Sequence, residues 1–264
     1  MTYGMKTFKD CTFKLDDNTV LMFLNNREAQ DGYYNHAILL TLENNNVTLN
    51  AYVQLAGLGS NLQAIKLTDT RFLIASGSFR TCTNSSFVLH FSTLDVDLPN
   101  KTFAIKHTVS TGRWRYISLA GLFKISENNA VAFFADGNGG NGYYYHTAYA
   151  MTIDADGVIT LGNFNLQGIY SHLTGQVYYQ VHQIAANKFV EVCHYNYPII
   201  TIVTVNGNQN SRSGYIALSA ITAYGDRTHI YHSFSLGNYV FVPYFNGNTW
   251  NVCSVDCSGT IPIE

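Results

Sequence analysis

The chain has 264 residues, 47% apolar and only 12% charged, with a formal charge of −2. That balance excludes a disordered chain and a basic, phosphate-collecting surface, so nucleic acid and anionic membranes are poor partners. No run approaches the ~20 apolar residues of a membrane-spanning helix, and residues 1–6 lack the apolar stretch of a signal peptide, so a soluble protein without an export address is expected.

Nineteen tyrosines and sixteen phenylalanines, with abundant Thr, Val, Ile and Asn, favour strands joined by tight turns. From the N-terminus, 5–13 (MKTFKDCTF) reads as a strand. After it, 18–24 (NTVLMFL) is the first of five related strands, each preceded by a polar turn. The others are 69–75 (DTRFLIA), 129–135 (NAVAFFA), 187–193 (NKFVEVC) and 238–244 (NYVFVPY). All five are apolar on both faces, which predicts inner strands packed between neighbouring sheets and lining the centre of the molecule.

A second, aromatic-rich strand follows each inner strand, as at 86–91 (SFVLHF) and 143–150 (YYYHTAYA). Asn44-Asn45-Asn46, Asp156-Gly157 and Asn206-Gly207 then mark hairpin turns, because Asn and Gly tolerate the positive φ such turns need. A third strand comes next, as at 158–162 (VITLG), and a fourth leads into the following copy, as at 115–120 (RYISLA) and 178–182 (YYQVH).

Four antiparallel strands repeated with a period near 50 residues predict an all-β, five-bladed β-propeller of four-stranded blades forming a single domain over 1–264. The copies run 16–67, 68–125, 126–184 and 185–236, with 237–264 joined by 1–15. The last copy supplies strands at 250–255 and 260–263 and lacks one. The N-terminal strand is expected to complete that blade and close the ring, which would also hide exposed edges. An open solenoid and a two-sheet sandwich are the alternatives.

The third copy carries 132–138 (AFFADGN), 141–143 (NGY) and 156–162 (DGVITLG). These residues resemble a repeat of bacteriophage tail-associated and other adhesin-like proteins, in which a VAYxDGxNxxYG strand and loop precede a DGxxIT hairpin. The resemblance follows the strand rhythm over most of the chain. It implies a surface-recognition or structural protein of a virion, folded in the host cytoplasm, with no catalytic motif. A cytoplasmic or cell-surface location is the alternative.

The middle of the five inner strands carries Met22, Ile74, Phe133, Glu191 and Val242, so a single carboxylate stands there. Glycosidases use two converging carboxylates. The enzyme alternative, a glycoside hydrolase, would rest on Glu191 with Asp136. The simpler reading makes Glu191 a solvated channel acid, with His194 and His182 as candidate partners.

Neither the nine histidines nor the five cysteines have metal-ligand spacing, so no metal or cofactor is expected, and the cysteines read as buried thiols. Asp154-Ala155-Asp156-Gly157 opens like a calcium loop but lacks the later ligands, and a hairpin explains it. Asn46, Asn84 and Asn100 head glycosylation-type triplets and read as turn asparagines.

Polar and aromatic residues gather in the connections instead. Arg113, Trp114, Arg115 and Tyr116 form one group, and His194, Tyr195 and Tyr197 another. Asp226 with Arg227, and Asn246 with Trp250, complete the set. Aromatic faces stack on sugar rings while amides, guanidiniums and carboxylates meet the hydroxyls, so these residues are expected to bind glycans. The expected function is non-enzymatic: a phage receptor-binding protein recognising host-surface glycans. Virion proteins, among them further copies of this chain, are the other expected partners, and a purely structural assembly role is the alternative.

Overall fold

The computed structural model describes residues 11–28, 32–58, 62–77, 88–111, 117–138, 143–162, 165–169, 179–194, 198–218, 232–245 and 249–259. All their regular elements are strands, arranged as five antiparallel sheets taken in chain order. The first sheet is β1 (Thr12–Lys14), β2 (Thr19–Glu28), β3 (Gly32–Glu43) and β4 (Asn46–Leu58). The second is β5 (Leu62–Lys66), β6 (Arg71–Gly77), β7 (Leu89–Asp97) and β8 (Thr102–Ser110).

The third sheet contains β9 (Ile117–Ser126), β10 (Asn129–Asn138), β11 (Tyr143–Ile153) and β12 (Ile159–Leu161), and β13 (Asn165–Ile169) also pairs with β11. In the fourth are β14 (Tyr179–Ala185), β15 (Lys188–His194), β16 (Pro198–Asn206) and β17 (Gln209–Ala217). The fifth holds β18 (Phe234–Leu236), β19 (Tyr239–Phe245) and β20 (Trp250–Asp256).

The five strands apolar on both faces are β2, β6, β10, β15 and β19, and each is the second strand of its sheet. They do not form the edge along which successive sheets meet. The first strands form that inner edge, since β5 meets β9, β9 meets β14 and β14 meets β18. Sheets cover β6, β10 and β15 from both sides and β2 and β19 from one, whereas the first strands are free to carry Gln, Lys and His.

Strand allocation also differs from the sequence expectation by one position. The strand expected to end one copy pairs with the second strand of the next, as β9 does with β10 and β14 with β15. A two-residue turn such as 127–128 leaves the chain little choice but to fold back on its neighbour. The described part of the N-terminal segment likewise belongs to the first sheet, where Phe13 lies opposite Leu21. Residues 1–10 and 260–264, on which the expected ring closure turns, lie outside the described residues.

Four apolar layers separate the five sheets. Leu21, Phe23 and Leu39 of the first sheet pack on Phe72, Ile74 and Leu94 of the second. Leu73, Ala75 and Phe91 face Ala132, Phe134 and Met151. Val131, Phe133 and Ala150 face Phe189, Ile199 and Val203. Val190, Val192 and Ile202 face Val240, Val242 and Val255. Ring clusters bridge two of the layers, with Phe13, Phe23 and Phe72 in one and Phe123, Phe133 and Phe189 in the other. Each fully buried Leu or Phe contributes about 1.5–3 kcal/mol, so most of the folding drive lies between sheets.

Side chains bonded to backbone join the same neighbours. Ser76 donates to the Ala56 carbonyl at 2.6 Å, and Thr93 to that of Gly157 at 2.6 Å. At the inner edge the Leu122 amide donates to Gln63 and Gln183 donates to the Lys124 carbonyl, while Lys188 at the start of β15 reaches the Ser258 carbonyl just beyond β20.

Asn44 and Asn45 both adopt positive φ, 51° and 64°, as a two-residue hairpin requires. The turn at Asp156-Gly157 is built differently. The Asp154 carboxylate accepts from the amides of Asp156 and Val158, and only Gly157 is left-handed, with φ 85°. Asp154 is therefore a turn cap.

Candidate functional site

Glu191 is not a channel acid. It lies on the backward face of β15, toward the third sheet, and is 1% exposed. Arg212 of β17 donates from Nη2 to Glu191 Oε1 at 2.7 Å, and the Tyr179 hydroxyl of β14 donates a short hydrogen bond to the same oxygen. His182 is not among these partners, since its ring meets Ser233, and the side chain of His194 falls outside the described set. A charge this deep is tolerated because one cation and one hydroxyl converge on it.

The network crosses the sheet boundary. Arg212 Nη1 donates to the His146 carbonyl of β11 at 2.8 Å, and Asn210 donates to that of Ala148 at 3.1 Å. The His146 ring stacks on Tyr179 with centroids 4.2 Å apart, and its Nδ1 lies 2.6 Å from Cys193 Sγ.

Burial, with the Arg212 cation beside it, holds His146 to a pKa of about 3, so the ring is neutral. Burial first, and the Glu191 charge second, push the Cys193 thiol well above its usual range. The thiol therefore keeps its proton, and Sγ and Nδ1 share a hydrogen bond whose direction the His146 tautomer sets. Tyr179 is also raised, by burial and then by Glu191. Burial is the largest single influence on Arg212 and would lower it, but Glu191, with Tyr179 and Cys193 behind it, raises it and keeps the guanidinium charged.

A cysteine beside a histidine can serve nucleophilic catalysis only as a thiolate within reach of substrate. Here the thiol is protonated and 1% exposed. The group is a polar clamp between the third and fourth sheets.

A second pairing of reactive type joins the fourth and fifth sheets at the inner edge. Ser233 Oγ lies 2.7 Å from His182 Nε2, yet its proton points to the amide oxygen of Gln180, which also accepts from the Ser233 backbone N–H. His182 Nε2 is then the donor. A hydroxyl whose proton is committed to an amide is not an activated nucleophile.

Of the expected ligand residues, Trp250 is described. It opens β20 and is 57% exposed, beside Thr249 and Asn251, whose side-chain amide donates to Thr249. His194 ends β15, and Asp136 lies on β10 opposite Tyr145; both side chains fall outside the described set. Arg113, Trp114, Arg115, Tyr116, Tyr195, Tyr197, Asp226, Arg227 and Asn246 lie outside the described residues.

Trp250 belongs to a wider surface. The face of the fifth sheet turned away from the fourth also exposes Phe234, Leu236, Tyr239 and Val252. The first sheet has a counterpart, for its face turned away from the second exposes Leu24, Leu42, Val47, Leu49 and Tyr52. These ten are most of the twelve large apolar side chains exposed among the described residues, Val158 and Tyr215 being the others, so the exposure is concentrated at the two ends of the series. Sequence reading missed both, because apolar residues on an end sheet look like those on a middle one.

Among the described residues no group of three or more His, Cys, Asp or Glu gathers as a metal site. Cys11, Cys193, Cys253 and Cys257 are free thiols. No described helix is long and apolar enough to cross a membrane.

No family model and no curated protein matches the chain. Among solved structures it is similar to the β-propeller domain of Nup133 from Vanderwaltozyma polyspora. The identity is 8% and the TM-score 0.41, over 92% of this chain and 72% of that one.

Proposed function

We propose that the five sheets are the blades of a five-bladed propeller, and that the chain is a non-enzymatic binding module of a phage tail that recognises host-surface glycans. The observation that carries the binding role is Trp250, a large aromatic ring left 57% exposed at the start of β20, between polar neighbours and next to a connection. An exposed indole offers a sugar ring a stacking face, and Asn and Thr beside it suit the hydroxyls.

The engagement of Glu191 favours binding over hydrolysis. A general acid or base has to reach substrate, and this carboxylate is held inside a sheet boundary by Arg212 and Tyr179. The connections bearing Arg113–Arg115, Tyr116, His194–Tyr197 and Asp226–Arg227 are assigned to recognition by their chemistry. The virion setting rests on the resemblance of the third copy.

The test is a glycan array followed by titration of the best ligand against wild type and Trp250→Ala. Loss of one stacking contact should weaken binding about tenfold, in line with ~1–1.5 kcal/mol for an aromatic pair, with the fold unchanged by circular dichroism. Turnover of any glycan that is abolished by Glu191→Gln would overturn the reading.

A further inference from the structure

The two exposed end faces are complementary in kind. Alternate residues of the second strands point forward, to the next sheet, or backward. Leu21, Leu73, Val131 and Val190 point forward, and each is buried against a backward face carrying Phe72, Ala130, Phe189 or Val240. Phe241 is the fifth forward residue and Val20 the remaining backward one. Among the described residues the fifth sheet thus presents a forward face with no neighbouring sheet, and the first sheet a backward face with none.

We propose that a second copy of this chain supplies the missing neighbour, the forward face of one copy's fifth sheet packing on the backward face of the next copy's first sheet. The inference deepens the reading of the chain as a non-enzymatic module by naming a partner. The contact continues the stacking already made four times within the chain.

Its size is adequate. With Trp250, at the start of β20 beside a connection, left to glycan, the other nine exposed side chains at roughly 100 Å² each expose about 900 Å² before their half-buried neighbours are counted, which brings the contact toward the ~1,200 Å² lower end of specific interfaces. Lys14, the charged residue of the described first-sheet face, is already paired with Asp17 at 2.9 Å, and Asp256 is that of the fifth, so the contact rests on apolar area.

A ring sealed within one chain would bury the same two faces on each other. In the folded chain Leu236 is 70% exposed and Leu49 59%, which favours the second copy. Joining unlike faces makes a heterologous contact, which runs on as a filament or closes as a ring of subunits.

The test is sedimentation of the full chain over a concentration series, with Leu236→Asp and Leu49→Asp. Wild type should exceed its chain mass of 29.4 kDa increasingly as concentration rises. Each variant alone should stay at that mass, and an equal mixture of the two should form a dimer, because each retains the face the other has lost. Wild type at 29.4 kDa throughout would overturn the proposal and point to closure within the chain. Association of either variant alone would overturn it in favour of like faces pairing. Both positions are exposed, and near-ultraviolet circular dichroism checks the fold. Glycan titration of the variants, read separately, tells failure of assembly from failure of the binding role.

Discussion

Removing the guanidinium with Arg212→Met leaves Glu191 as a buried carboxylate facing only the Tyr179 hydroxyl. With the two side chains 5% and 2% exposed, water cannot take the cation's place. Breaking such a pair from one side costs about 3–5 kcal/mol. At roughly 2.1 cal/mol/K per residue, 264 residues carry ~0.55 kcal/mol/K at the thermal midpoint, so a ~4 kcal/mol loss is a fall of ~7 °C.

Replacing the whole group, with Glu191→Leu, Arg212→Met and Tyr179→Phe together, should recover most of that loss, because no buried polar atom of the trio is then stranded. Scanning calorimetry with urea titration reads both variants. A midpoint within ~1 °C of wild type for Arg212→Met would mean that the pair is solvated, and the clamp between the third and fourth sheets would be refuted.

Acid should destabilise the fold before its carboxylates titrate. His146 is held to about 3 in the folded chain against 6.5 unfolded, so its contribution is complete above pH ~6.5 and is lost as pH falls toward 3, at up to ~1.4 kcal/mol per unit. His90, also lowered by burial, adds in the same direction. Urea midpoints measured from pH ~6.5 to ~4 should fall steadily, and His146→Gln should flatten the slope; an unchanged slope would rule this origin out. Gly162→Ala should cost about 1–3 kcal/mol, because a Cβ there would land on the Asn208 carbonyl of the next sheet. Gly237→Ala, at φ 58° with open space around it, should cost only about 1–2 kcal/mol of backbone strain, and thermal melts ranking the two in reverse would contradict that packing.

The repeat was legible because its strongest signal is physical. A strand covered by sheets on both sides must be apolar on both faces, as 69–75, 129–135 and 187–193 are, and 18–24 and 238–244 keep the same pattern although only one face of each is covered among the described residues. Its place in the sheet was not legible, since an apolar segment reports cover on its faces and says nothing of which neighbour is hydrogen-bonded. That is why the first strands exchanged copies with respect to expectation.

Glu191 stood out as a lone acid among apolar residues, but its partner did not. Arg212 lies two strands away, beyond a register shift between Thr201 and Val203, and no sequence spacing connects the two. The only available hint was a cation in β17, a strand otherwise of neutral residues. Tyr179 was one tyrosine among nineteen. The polar neighbours of Trp250 carry the expectation of a glycan contact, while nothing in the sequence separates the apolar face around it from ordinary strand chemistry.

The fold rests on five successive sheets whose second strands are each hydrogen-bonded along both edges and buried on the face or faces turned to a neighbouring sheet. Amide hydrogen exchange on the full chain measures that directly. Amides within β2, β6, β10, β15 and β19 should be the slowest in the molecule, and those of β15 should exchange only through global opening. Exchange in any of these five as fast as in the turns at 44–45 or 207–208 would contradict it.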